Sequence, residues 1–280
     1  MSGWIPAFAR MTNFMINVLQ HYFRIWRRSI VINFSIIAAS RIDFFTFVIA
    51  KLVRMGFFLV FVVALFGHVP RIAGYHKGEV LLFFAVMNFI DIFVQLVWYR
   101  GMTDLKRLIS RGDFDLVLTK PMSPLFWTAF RIFDFFDLTT VPAAIAFLWY
   151  ALHVLGRSFA TPQILASILM LCLSLVLAFA INLILASITF WTTEIDNAWW
   201  IYRDTIYVAR FPPTIYPIAL RSIFTFVFPI LVIVTYPTRA LLGELSSLEV
   251  LWAVVATALF LAIAMLVWRK ALQHYASASS

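Results

Sequence analysis

Charge is scarce in this chain. Asp, Glu, Lys and Arg supply 12% of its 280 residues, against 63% hydrophobic residues and a mean hydropathy of +0.94. That balance excludes an ordinary soluble domain and makes the bilayer the solvent. Cysteine is nearly absent too. The one present, Cys172, sits inside an apolar block, so a single chain builds neither a disulfide framework nor a thiolate metal site. The five histidines, His21, His68, His76, His153 and His274, fall at no metal-ligand spacing, and none opens a His-x4-Asp pair. There is no Gly-x4-Gly-Lys-Ser/Thr run to cradle a nucleotide, so the chain is not expected to bind or hydrolyse ATP unaided. A Gly-x-Ser-x-Gly elbow is missing as well. The sequence therefore predicts no catalytic residue, no metal and no cofactor held by this chain.

What it has instead is a succession of apolar blocks of roughly 18 to 25 residues, the length that crosses a hydrocarbon core of about 30 Å at 1.5 Å per residue. They are too many for a signal peptide or a single anchor. The spans read as Ile42–Gly67, Val80–Tyr99, Leu138–Leu155, Ile164–Phe190 and Val250–Trp268. Trp191–Leu248 adds two shorter apolar stretches, 198–211 and 222–236. Pro212, Pro213 and Pro217 stand between them, Pro229 inside the second and Pro237 after it. Proline removes a backbone donor and clashes with the preceding turn, and broken backbone at membrane depth survives only when buried in protein or lining a cavity. One stretch is a span and the other a re-entrant or interfacial hairpin; the residues alone leave the choice open.

A net charge of +9 and a pI near 10 would suggest nucleic acid for a soluble protein, but here topology accounts for the bases. Arg10, Arg24, Arg27, Arg28 and Arg41 precede the first span. Arg100, Lys106, Arg107, Arg111, Lys120 and Arg131 follow the second, and Arg269 and Lys270 follow the last. The short loops carry only Arg71, Lys77 and Arg157. By the positive-inside rule both termini and the 100–137 loop face the cytoplasm. An even number of crossings, six, follows.

Residues 1–12 show no periodicity and read as disordered, or as upstream of a true start at Met11 or Met15. From there Asn13, Asn17, Gln20, Arg24, Arg27 and Arg28 share one helical face, which reads as an amphipathic helix lying in the membrane interface or as a tilted start to the first span. Lys51 and Arg54 lie inside the first span and Asp91 inside the second. Charges at that depth cost a few kcal/mol on insertion scales, so they must snorkel, pair with one another, or face a substrate route.

The densest polar stretch, 100–137, carries Asp104, Asp113, Asp115, Asp134 and Asp137 among its bases, and within it stands ISRGDFDLVLTKPMSPL, Ile109 to Leu125. This segment resembles the loop between spans two and three of type 2 ATP-binding-cassette (ABC) exporter permeases, through Ile109, Gly112, Asp115, Leu118, Lys120 and Pro121. Ala209–Gly243, with its FPP, IYP, FP and YP steps before Leu241, Leu242 and Gly243, resembles the family's stretch from the end of span five through a re-entrant helical hairpin. The helix from Asn13 to Arg28 resembles its connecting helix.

The resemblance implies an all-α integral membrane protein of six spans with an amphipathic connecting helix over 13–41. It places span five at Glu194–Arg210, the hairpin at Pro212–Pro237 and a cytoplasmic tail at 269–280. It implies residence in the inner (plasma) membrane, pairing with a second copy or a homologous permease, and a separate ABC ATPase subunit that holds ATP and Mg. Membrane lipids are then partners and nucleic acid is not. The ATPase-coupling element falls at 101–121. Leu105, Leu108 and Ile109 are expected to enter an apolar groove of the ATPase, with Lys106, Arg107 and Arg111 at its rim. Gly112 permits a positive φ at the helix end, Asp113, Asp115 and Lys120 complete the polar surface, and Pro121 stiffens the return to the membrane. This topology leaves Arg221 and Arg239 outside, against the charge bias. A membrane enzyme using the carboxylates of 100–137, or an ATP-independent transporter, are the competing readings.

Overall fold

The structure, a computed structural model, describes residues 20, 22–33, 41–192 and 202–275. Its helices are α1 (22–33), α2 (Arg41–Phe66), α3 (Lys77–Ser110), α4 (Phe114–Leu118), α5 (Pro124–Phe130), α6 (Phe135–Leu155), α7 (Thr161–Ile188), α8 (Ile218–Val227), α9 (Ile230–Leu242) and α10 (Ser247–His274). Residues 202–206 add a short helix that tightens into a 3-10 turn at Tyr207–Arg210. Among the described residues there is no β-strand, only a bridge between Ile72 and Tyr75. The all-α membrane class read from the sequence holds.

Five helices, within α2, α3, α6, α7 and α10, are long and apolar enough to cross a membrane. Helices α8 and α9 pass that test only together, and they meet at a bend of 94°. The break falls at Phe228 and Pro229, where proline has no N–H to continue the ladder. Residues 194–201 of the expected span five lie outside the described residues.

Helix ends follow their sequences. The Ser246 hydroxyl accepts from the Glu249 N–H at 3.3 Å and the Glu249 carboxylate accepts from the Ser246 N–H at 2.9 Å, so a capping box starts α10. Helices α6 and α9 stop at Gly156 (φ 62°) and Gly243 (φ 77°), where a left-handed residue closes the last turn.

In lipid, helices associate through close packing and hydrogen bonds rather than hydrophobic burial. Helix α9 forms the centre: Ile230, Leu231, Val232, Ile233 and Val234 are all buried. It lies against α7, which also runs along α10, while α3 runs along α6. Ala253, Ala256, Ala264 and Ala271 bring the buried face of α10 close to its neighbours. The Ser167 hydroxyl on α7 donates across to the Pro237 carbonyl at 2.9 Å. Gly101 of α3 rests on the Thr128 and Ala129 carbonyls of α5, so that a Cβ there would stand 2.7 Å from the Ala129 oxygen.

Two expected boundaries shift. The hairpin does not end at Pro237: that proline sits inside α9, which continues to Leu242. The second span does not end at Tyr99 either. A π turn at Gln95–Tyr99 passes into helix at Arg100–Thr103 and, after a one-residue break at Asp104, into Leu105–Ser110. The reason is packing, since Met102 and Leu105 continue the buried face of α3 with no exposure at all.

Helix α1 places Arg24, Arg27 and Arg28 on its exposed side, while the Tyr22 and Trp26 rings meet Phe126 and Phe133 edge-on at 4.8 and 6.3 Å. The Tyr22 hydroxyl accepts from the Ser123 N–H at 2.9 Å, and Asn33 donates to the Arg131 carbonyl at 3.0 Å. Residues 13–19, 21 and 34–40 of the expected connecting helix and lead-in lie outside the described residues. Most of α2 faces outward, with Ile42, Phe45, Phe57 and Val60 exposed.

Candidate functional site

Lys51 and Arg54, one turn apart on α2, point into a cleft of about 640 Å³ between α2, α3, the turn before α6 and the 202–207 segment. Asp91 and Gln95 of α3 form its floor, with Tyr99 and Arg100 beyond them; Asp134 enters from the turn and Asp137 from the first turn of α6, and Arg203 and Tyr207 from the far side. The three carboxylates are buried, and each meets a cation. Lys51 pairs with Asp137. Arg100 Nε donates to Asp134 at 2.6 Å, and Asp134 also caps α6 by accepting from the Phe136 N–H at 3.1 Å. Arg54 reaches Asp91 at 3.8 Å and donates to the Tyr207 hydroxyl, its guanidinium lying 5.0 Å from the Tyr207 ring centre. A buried charge is tolerated when it is paired and hydrogen-bonded, and this network ties α2 to every other wall of the cleft.

The π turn at Gln95–Tyr99 lies where α3 passes the cleft. One extra residue in the turn re-aims side chains on one face, and such turns recur at functional sites. Here it directs both Gln95 and Tyr99 at the cavity.

Below the cleft, the segment from Asp104 to Arg131 folds on itself. Arg107 grips the Asp104 carboxylate through both Nε (2.7 Å) and Nη2 (2.9 Å), and Arg131 takes the same carboxylate from the other side. Burial pushes the Arg131 guanidinium below the ordinary arginine range. Gly112 turns the chain at φ 74°, and α4 follows. Its Phe114 ring is buried against Phe190 at 5.2 Å and Tyr275 at 5.1 Å; Trp268 stacks edge-on to Phe190 at 5.6 Å. The Tyr275 hydroxyl donates to Asp115 at 3.0 Å, and burial together with that carboxylate pushes the phenol up to about 12. The segment is thus fixed to the ends of α7 and α10. Leu116 and Leu118, two residues apart on α4 and so on different sides of it, are its exposed apolar side chains, 64% and 46% exposed.

A family model for the ABC-2 family transporter protein matches residues 52–279. The chain belongs to that family. Comparisons with curated proteins and with solved structures returned no match. The ABC-2 match makes this chain the membrane permease subunit of an ABC transporter, a multi-pass protein.

In this ABC-2 permease the structure brings Lys51, Arg54 and Asp91 into one cleft and spreads the other expected residues along the segment below. Arg107, Arg111, Gly112, Asp113, Lys120 and Pro121 lie at or near its surface. Leu105 and Leu108 do not: they are 0% and 6% exposed, committed to the core of their own chain, so neither is free to enter a partner's groove. The exposed apolar pair is Leu116 and Leu118 instead. Asp134, Asp137, Arg100 and Tyr207 are the cleft residues the sequence reading did not assign. The three-residue spacing of Lys51 with Arg54 and of Asp134 with Asp137 would not have found these partners, since only Lys51 and Asp137 meet, while Arg54 turns to Asp91 and Asp134 to Arg100.

Proposed function

We propose that the chain is the permease of an ATP-driven exporter of the inner (plasma) membrane, with both termini cytoplasmic, working as a pair around a central route and coupled to separate ATPase subunits. ATP and Mg are held by those subunits. The observation that carries the reading is the 104–121 segment, which exposes Leu116, Leu118, Arg107 and Arg111 on a base locked to α7 and α10 through Phe114, Asp115 and Tyr275. Exposed apolar and basic side chains on one short segment suit docking to a partner, and a rigid mount passes the resulting displacement to the spans. The cleft at Lys51, Arg54 and Asp91 lies along the substrate route. The exposed face of α2 is where a second copy would pair, lipid covering the rest.

The test uses Leu116→Asp with Leu118→Asp. Membrane insertion and yield should stay at the wild-type level, and ATPase stimulation by the permease should fall by about tenfold or more, as expected for losing an apolar anchor. Leu105→Asp is the contrasting variant, with a carboxylate buried in the core and yield lost. Full stimulation by the double variant would move the docking site elsewhere, and purification of the tagged chain without any P-loop ATPase would remove the exporter reading itself.

A further inference from the structure

At the end of the bundle opposite Ser110, the two arms of the bent hairpin close with the start of α10 and the turn at Ile72–Tyr75 around a second cavity, of about 390 Å³. It holds the two arginines that the charge bias of the loops leaves unexplained. Arg239 is fixed: it pairs with Glu249 and donates through Nη2 to the Glu244 carbonyl at 2.7 Å, while its Nε is buried without a partner among the described residues. Arg221, on α8, has no ion pair or side-chain hydrogen bond among the described residues, and it lines the cavity. Thr235, on α9, lines it too. Its residue is 2% exposed and its hydroxyl has no partner among the described residues, although the neighbouring Thr238 hydroxyl donates back to the Val234 carbonyl at 2.8 Å in the usual helical manner.

A buried hydroxyl without a protein partner is open to water or to a bound group, and this one lies at a cavity beside an arginine. Glu249 is neutralised by Arg239 and the Tyr75 hydroxyl is turned to Glu244, so the lining residues leave Arg221 as surplus positive charge beside the hydroxyls of Thr235 and Tyr236. Donors and positive charge are what an oxyanion requires. The rim beside them is apolar: Phe226 is 58% exposed, with its ring 5.2 Å from Trp252.

We propose that this cavity is an oxyanion site for the phosphate or carboxylate headgroup of a membrane amphiphile, with Arg221 and Thr235 as headgroup ligands and Phe226 against the apolar part. Its role as a station on an export route rests on the transporter reading; the binding itself does not.

The experiment measures binding by the full chain in micelles, by native mass spectrometry, with no ATPase present. The probes are phosphatidylglycerol, phosphatidylcholine of the same acyl chains, and inorganic phosphate as competitor. Phosphatidylglycerol should bind more tightly than phosphatidylcholine. Arg221→Gln should weaken it about tenfold, the loss expected for one charge-assisted contact. Arg221→Lys should retain most of the binding, and Thr235→Val should weaken it by a smaller factor of about threefold. Arg269→Gln, at the other end of α10, should leave it unchanged. Displacement by inorganic phosphate with the same Arg221 dependence identifies a free oxyanion as a sufficient ligand; failure of phosphate to displace identifies the lipid headgroup. Equal binding of both lipids, or phosphatidylglycerol binding indifferent to both Arg221→Gln and Thr235→Val, overturns the site. Because ATPase stimulation is read separately, loss of the transporter reading and loss of the site are distinguishable.

Discussion

Replacing Lys51 with methionine keeps the length of the side chain and removes its charge, which leaves the Asp137 carboxylate, with 3% of its side chain exposed, without the cation it meets. Lys51 is itself only 14% exposed, so water does not stand ready to replace it. Breaking a buried pair by removing one partner costs about 3–5 kcal/mol, whereas removing both charges together is often near neutral. Lys51→Met should therefore destabilise by about 3 kcal/mol or more, and Lys51→Met with Asp137→Asn by about 1 kcal/mol, so the coupling is about 2 kcal/mol plus whatever Asp137→Asn costs alone, which only residues in contact display. The assay is reversible unfolding in mixed micelles, followed by helicity, for the wild type, both single variants and the double variant. Loss of cooperativity in Lys51→Met alone would itself mark the pair as needed for the fold. Additive single costs, with a coupling below about 0.5 kcal/mol, would refute the pairing and with it the picture of α2 held by charge to the cleft.

Other outcomes follow from single contacts. Gly101→Leu should abolish folding in membranes, because the Cβ alone meets the Thr128 and Ala129 carbonyls; protease resistance of the membrane-inserted chain reads this, and a resistant variant would mean that α5 moves freely. Tyr275→Phe should cost about 1 kcal/mol by removing the hydrogen bond to Asp115. The phenol is held up at about 12 against an ordinary value of about 10, so the folded state keeps a proton that the unfolded chain gives up. The advantage of wild type over Tyr275→Phe is then complete below pH 10 and disappears as pH rises from about 10 to about 12, a closing gap that thermal midpoints measured across that range would show.

The membrane class was legible from composition, and most spans from the lengths of their apolar blocks, because an apolar run of that length has few alternatives. The hairpin announced itself through Pro229, whose missing N–H breaks the chain where the 94° bend stands. Pro237 misled for the opposite reason: α9 is surrounded by protein, and the fold absorbs one lost donor in a helix otherwise packed on every side. The extension of α3 past Tyr99 was hidden by Arg100, Asp104, Lys106 and Arg107, which read as a loop. Met102, Leu105 and Leu108 at three-residue spacing carried the helical signal through it. The partnership of Lys51 with Asp137 joins residues 86 positions apart, which no local pattern specifies.

Helix α3 joins the two functional regions in one element. Its far end packs on α6, where a Cβ on Gly78 would come within 2.8 Å of the Leu155 backbone, and its near end carries Leu105–Ser110 into the proposed coupling segment. Between them lies the π turn, the one stretch of α3 whose hydrogen-bonding is wider than that of the helix on either side. Asp104, Arg107 and Arg131 clamp the near end, and Arg100 with Asp134 ties the next turn to the start of α6. A displacement of the near end therefore reaches the Arg100–Asp134 pair before it reaches Asp91 and Arg54. Helix α2 is held to the same elements both by those charges and by Met55, Phe58 and Val62, whose buried face meets α3 with the Phe58 ring stacked 3.7 Å from Phe84.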